Sequence, residues 1–229
     1  MLGRDQPFYA VQQYELSKPA AAVSSIGAMA ETYVDAVRAV RPAGPYVLAG
    51  MCSTGAYVAY EMAQQVRALG GDVELVVLFD PMYGEVALGC SHSHLLVGQA
   101  RDITGRINCL PATDTRVPGL RAALADVLSE VGMEPSLLEL GPRRLGQFLD
   151  LFAANHQATL TYSPRPYPGR AAIFVPAFSN SDERLRSEAE WKALVPAVEI
   201  HAVPATRAEL YSAPEIVAYL AAAMQAALQ

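Results

Sequence analysis

The sequence predicts an α/β protein: an open, mostly parallel sheet with helices on both faces and an inserted helical lid. Three observations carry that prediction. Strand-like and helix-like segments alternate at both ends of the chain, the pattern of parallel strands joined by crossover helices. The run VELVVLF (73–79) is apolar on both parities, as a strand covered on both faces must be. Residues from about 84 to 160 break the alternation with helical patches and no convincing strand. An insertion over one edge of the sheet is the simplest account, with 1–229 read as a single domain. The alternative, a separate helical domain, has no Pro/Gly/Ser-rich linker to mark it.

The elements follow in order. PFYAV (7–11) reads as a short strand. Ile26, Met29, Tyr33, Val37 and Val40 recur at three- and four-residue steps, behind Ser24 or Ser25 as cap and ahead of Pro42. That is an amphipathic helix. YVLAGM (46–51) reads as a buried strand, and Val58, Met62, Val66 and Leu69 as the next helical stripe, closed by Gly70 and Gly71. Because those glycines end a helix rather than open one, they are no phosphate loop. In the middle, Leu120, Leu124, Val127 and Val131, then the stretch from Leu145 to Leu160, read as helices. RAAIFVPA (170–177) and VEIHAV (198–203) are strand-like, and a last helix carries Ile216, Leu220, Met224 and Leu228, with Pro214 near its start.

Composition excludes several partners. Hydrophobic residues make up 52% of the chain, enough for a sizeable core. Against 17 Lys+Arg stand 23 Asp+Glu, a formal net charge of -6, with no basic run. Nucleic acid and anionic membranes, which need clustered positive charge, are not expected partners. Cys52, Cys90 and Cys109 are too few and odd in number for a disulfide framework. MLGRDQPFYAVQQ does not read as a leader, and no apolar run approaches the ~20 residues a membrane helix needs. A cytoplasmic protein is expected, with no metal and no cofactor.

The informative segment is GPYVLAGMCSTGAYVAYEMAQQ (44–65), where a strand runs into a helix through Gly50, Met51, Cys52, Ser53, Thr54 and Gly55. A nucleophile on such a turn stands above the sheet, beside a helix N-terminus and a backbone N–H that stabilise developing negative charge. The G-x-S-x-G pattern is not intact. MCSTG has Met51 in place of the first glycine, whereas GMCST keeps Gly50, ends on Thr54 and makes Cys52 the nucleophile. The plainer reading is a helix cap, Ser53 or Thr54, next to a buried cysteine.

Beyond the turn, Gly44-Pro45-Tyr46, Ala59-Tyr60-Glu61-Met62-Ala63 and Leu78-Phe79-Asp80 resemble the thioesterases that release polyketide and nonribosomal peptide chains, and their stand-alone relatives. SIGAMAETYVDAVRAVRPAG upstream and NHQATLTYSPRPYPGRAAIFVPA downstream extend the likeness over most of the chain outside the lid. The resemblance implies an α/β-hydrolase fold, here without its first strand or strands. It implies release of an acyl, polyketide or peptidyl chain from a phosphopantetheinyl carrier protein, through an acyl-enzyme. Counting back from AYEMA gives Ser53 as nucleophile, with Thr54 as oxyanion donor; counting forward from GPYVLAG gives Cys52. Both remain open, and a thiolate is the better nucleophile. The lid would shape an acyl pocket.

The same resemblance makes Asp80 the triad acid, with Asp182 as second choice; otherwise Asp80 caps a turn. The base is the departure. Where the family has a histidine before the last helix, AVPATRAELYSAPEIV places Arg207. An arginine stays protonated and accepts no proton, and general-base assistance is worth about 10²–10⁴ in rate. The HG-type loop that supplies half of the family's oxyanion hole is not found ahead of LGRDQPFYAV, and one such donor is worth roughly 2.7–4 kcal/mol. His156 is the substitute base to consider. His201, inside a strand, reads as structural, and Cys90, His92 and His94 in CSHSH read as a plain loop without zinc spacing. Two functions follow: thioesterase catalysis, or a catalytically impaired relative that binds carrier protein or acyl chain without turnover.

Overall fold

The computed structural model describes residues 7–11, 25–81, 91–111, 113–130, 135–178, 181–206, 209–210 and 213–227. The chain divides into two compact units, one of Met1–Gln12, Ser25–Ala87 and Thr161–Gln229, the other of Gln13–Ser24 and Leu88–Leu160.

The first unit is a parallel sheet of four strands in chain order: β1 (Tyr46–Met51), β2 (Val73–Phe79), β3 (Arg170–Pro176) and β4 (Ala197–Val203). Helix α1 (Ile26–Val40) begins at Ser25, whose hydroxyl accepts from the Ala28 N–H, as capping requires. It buries Ile26, Met29, Ala30 and Val34 and packs on α2 (Cys52–Ala68), while Val40 at the end of the expected stripe is exposed. Helix α2 lies against β1 and β2. Its end is a Schellman closure: Gly70 has φ +75°, its N–H donates to Arg67, and the Gly71 N–H reaches back to the Val66 carbonyl at 2.9 Å.

Both faces of β2 are buried, as its unbroken apolar run requires. On one face Leu75, Val77, Ala172 and Phe174 meet Ile216, Leu220 and Met224 of the last helix, α7 (Pro214–Ala227). Burial of each such side chain is worth about 1.5–3 kcal/mol, so this cluster contributes to the unit's stability.

Two expected strands are corrected. Residues 7–11 form no strand; Phe8 and Tyr9 are exposed, because no strand of the sheet pairs with them and β propensity without a partner is not enough. Strand β1 forms as expected but is not buried: it is the sheet edge, hiding Tyr46 and Leu48 and exposing Val47, Ala49 and Met51.

Helix α6 (Ser181–Leu194) is not signalled by the apolar pattern of the sequence. Its inward stripe is Ser187, Trp191 and Leu194, and the serine masks the apolar period. The second unit is helical among the described residues: α3 (Ser91–Asn108), α4 (Val117–Glu130), a 3₁₀ turn (Pro135–Leu140) and α5 (Gly141–Thr161), around Ala100, Ile107, Leu124, Leu128, Leu145 and Leu149. CSHSH is therefore not a plain loop. Helix α3 opens at Ser91 and includes His92 and His94, carried by the apolar period of Ala100, Ile103 and Ile107 behind them. Their side chains and Cys90 lie outside the described residues.

Candidate active site

Strand β1 passes into helix α2 with no residue between Met51 and Cys52. So abrupt a turn brings the strand and the helix's first turns together, and Gly50 makes room for it. A Cβ at Gly50 would press on the carbonyl of Gly55 and lie 2.8 Å from the Ala59 Cβ, closer than real carbons approach. Gly55, by contrast, faces open space. The glycine that the packing demands is therefore the one two residues before Cys52.

Cys52 is exposed, and its φ of 55° lies in the left-handed region that side chains other than glycine rarely adopt. Ser53 and Thr54 follow, half-buried, in the first turn of α2. Neither is the helix cap: that position belongs to Met51, whose side chain makes no capping bond. Nor is Cys52 a buried cysteine. The helix N-terminus thus lies at Cys52, its aligned peptide dipoles favouring negative charge there.

Asp80 leaves β2 just after Phe79, which is paired with Met51 across β1 and β2. It is buried (7% exposed) and has φ 48°; with Cys52 it completes the left-handed non-glycine residues among those described. Its N–H donates to the Phe174 carbonyl at 2.8 Å, and the next carbonyl, Pro81, accepts from Ser187 Oγ (2.9 Å) and Trp191 Nε1 (3.1 Å). Residues held in such backbone cluster at functional sites, where the surrounding structure over-determines them.

The remaining candidates lie elsewhere. Asp182 is exposed near the start of α6, beyond β3. His201 stands on β4, stacked on Phe174 at 4.8 Å, with Nε2 3.7 Å from the Glu199 carboxylate. Three strand spacings separate β4 from β1, about 14 Å, so His201 is out of proton-transfer reach of Cys52. His156 is half-buried on α5, in the helical unit. Arg207 lies outside the described residues. On either side of it Thr206 and Glu209 form a capping box: both the N–H and Oγ1 of Thr206 donate to the Glu209 carboxylate, and the Glu209 N–H donates back. The T-x-x-E signature in TRAE is the sequence signal for it.

The helical unit holds a cavity of about 760 Å³ among Arg101, Thr104, Arg106, Cys109, Leu120 and Asp150, residues that include neither Cys52 nor Asp80. Among the described residues no group of three or more His, Cys, Asp or Glu is placed to hold a metal ion. No helix searched there is long and apolar enough to cross a membrane.

A family model described as Thioesterase domain matches residues 2–224. The chain belongs to the thioesterase domain family. Relatives of this thioesterase domain are segments of multidomain synthases. It is 27% identical to the nonribosomal peptide synthetase btyA of Aspergillus terreus over 206 residues, 82% of this chain and 21% of that protein. It is 33% identical to the polyketide synthase PksR of Bacillus subtilis over 78 residues, 34% of this chain and 3% of PksR. The chain thus spans a small part of the curated relatives it matches.

Among solved structures, the thioesterase domain resembles the NocB thioesterase domain in covalent complex with a fluorophosphonate nocardicin G analog: 26% identity, TM-score 0.60, covering 90% of this chain and 76% of that one. In fold it also matches the four-domain nonribosomal peptide synthetase holo-AB3403, with 22% identity and TM-score 0.70 over 92% of this chain and 16% of that one. The α/β architecture and membership of the thioesterase domain family agree with the sequence reading.

Proposed function

We propose that this thioesterase domain takes an acyl, polyketide or peptidyl chain from the phosphopantetheine thioester of a carrier protein onto Cys52, then passes it to water or to a nucleophile within the chain. The observation that carries this reading is the left-handed backbone of an exposed Cys52 at the junction of β1 and α2, over a Gly50 that tolerates no side chain. The Cys52 sulfur attacks the thioester carbonyl and the bond to the pantetheine sulfur breaks. That sulfur leaves with the proton Cys52 gives up. Thioester exchange is nearly balanced, and a thiol is partly ionised without a base, so Cys52 needs less help than Ser53 would. The N–H of Ser53 is the oxyanion donor in this register; Thr54 takes that role if Ser53 attacks. Asp80 is the acid beside the nucleophile. The helical insertion, residues 84–160, serves as a lid over the acyl chain, and the domain works in the cytoplasm.

The decisive experiment is intact-mass analysis after incubation with a short acyl thioester, with peptide mapping of the adduct. An acyl group on Cys52, lost in Cys52→Ala and kept in Ser53→Ala, supports the reading; wild-type turnover in both variants overturns it.

One observation favours a second reading. In the sheet unit His201 is the one histidine in the sequence, three strands from Cys52, and the family resemblance puts Arg207 where its histidine would stand. The domain would then bind carrier protein or acyl chain without release. Micromolar binding of an acyl carrier protein with no hydrolysis supports it, and fast thioester turnover rules it out.

A further inference from the structure

We propose that Trp191, with Ser187 one turn before it, is the positioning device that fixes Asp80 relative to Cys52; this rests on the catalytic reading above. Trp191 is fully buried on α6. Its Nε1 donates to the Pro81 carbonyl, and Ser187 Oγ donates to the same oxygen, at 3.1 and 2.9 Å. Pro81 directly follows Asp80, whose own N–H is tied to the Phe174 carbonyl. The turn carrying the acid is therefore held from β3 on one side and from α6 on the other. A left-handed aspartate persists only under such over-determination.

The same indole touches the other half of the site. Its ring centroid lies 5.2 Å from Tyr60, edge-on, and 6.1 Å from Tyr57. Both tyrosines are on α2, in the turns that follow Cys52, and Tyr60 is itself anchored by its hydroxyl to the Arg165 carbonyl at 2.6 Å. Aromatic pairs at these separations hold a preferred geometry rather than merely filling space. One side chain thus bonds the turn that carries the acid and packs on the helix that carries the nucleophile. Neither Trp191 nor Ser187 is a member of the apolar cluster that α7 makes with Leu75, Val77 and Phe174. Losing both donors leaves a buried carbonyl without those bonds and frees the Asp80 turn to shift. A displacement of about 1 Å in a reacting geometry can cost a hundredfold in rate.

The test uses the full chain with Ser187→Ala, Trp191→Phe and the double variant, and Leu220→Ala as a control that destabilises the α7 cluster without removing either donor to the Pro81 carbonyl. Acylation of Cys52 by a short acyl thioester is followed by mass over a range of ester concentrations, well below every melting temperature. The expected result is a limiting rate at least tenfold lower in the double variant, with the half-saturating ester concentration within twofold of wild type. Leu220→Ala lowers the melting temperature and keeps the rate. A double variant that acylates within twofold of wild type overturns the proposal, as does a Leu220→Ala loss equal to its own. If it does not fold, Ser187→Ala alone decides, with a threefold fall expected and no change overturning. If wild type takes no acyl group at Cys52, it is the catalytic reading that fails. The geometry is then read from the pH profile of Cys52 alkylation by iodoacetamide: a profile moved by the double variant and not by Leu220→Ala supports the clamp, and superimposable profiles overturn it.

Discussion

Cys52 and Asp80 leave neighbouring strands at the same level of the sheet, because the residues just before them, Met51 and Phe79, are paired in register. Both then enter left-handed backbone, at φ 55° and 48°. A one-residue slip of either strand would separate them, so the register of β1 on β2 sets the geometry of the candidate site.

Gly50 and Gly55 should respond in opposite ways to the same substitution. Gly50→Ala drives a methyl group against the Gly55 carbonyl and Ala59, and overpacking of that kind costs about 1–3 kcal/mol. Gly55→Ala meets open space inside α2 and should gain about 0.5–1 kcal/mol from helix propensity. Urea midpoints of the two variants check this; equal effects would show that the turn does not close on Gly50.

Backbone strain at Cys52 gives a second prediction. A side chain in the left-handed region costs roughly 1–2 kcal/mol, which glycine does not incur and a β-branched residue feels most. Cys52→Gly should therefore be at least as stable as wild type while losing its acyl adduct, and Cys52→Val should be destabilised. Thermal melts beside adduct mass read both. A Cys52→Gly protein clearly less stable than Cys52→Val would contradict the assigned backbone.

Tyr162 makes stability depend on pH in the alkaline range. Its hydroxyl donates to the buried Glu61 carboxylate at 2.8 Å. Burial first, and then this bond to a negative group, push its pKa well above the ordinary phenol range. Because the folded value exceeds the unfolded one, its contribution is fully present below about pH 10, the ordinary tyrosine value, and is lost as pH rises above that. Tyr162→Phe should cost about 1–2 kcal/mol at neutral pH, through the lost bond, and flatten the fall in stability above pH 10. Urea unfolding from pH 7 to 11 measures both, and parallel curves for the two proteins would refute the assignment.

Cys52→Ala and Ser53→Ala should separate cleanly. The first is expected to lose the acyl adduct altogether, and the second to acylate within about threefold of wild type, the ordinary scatter of a neighbouring substitution. Mass mapping distinguishes them in one experiment, and a reversed pattern would return the nucleophile to Ser53.

Much of this was legible beforehand, for reasons visible in particular residues. The doubly apolar VELVVLF declared a covered parallel strand, and Gly70-Gly71 a helix end, because each pattern has few other uses. PFYAV and YVLAGM misled because pairing and burial are decided by neighbours, which a local run does not contain. Spacing alone does not choose between Ser53 and Cys52, because counting from either side of the turn shifts by one. What favours one register is the contact of Gly50 with Gly55 and Ala59, a matter of close approach and not of spacing. Ser187 and Trp191 escaped notice for a related reason. A hydroxyl at the head of an inward stripe reads as surface until its partner, the Pro81 carbonyl, is known.

The open flank of β1 has a consequence for handling the molecule. Val47, Ala49 and Met51 line an uncovered apolar rib, with no strand beside it among the described residues. Sheet borders of this kind recruit other sheets edge to edge, which natural proteins resist with lysine, proline or a bulge; Tyr46–Met51 carries neither lysine nor proline, and its register on β2 shifts only between Tyr46 and Val47. Clouding should therefore grow steeply with protein concentration and subside when Ala49 is replaced by lysine, a change that leaves both Gly50 and Cys52 in place.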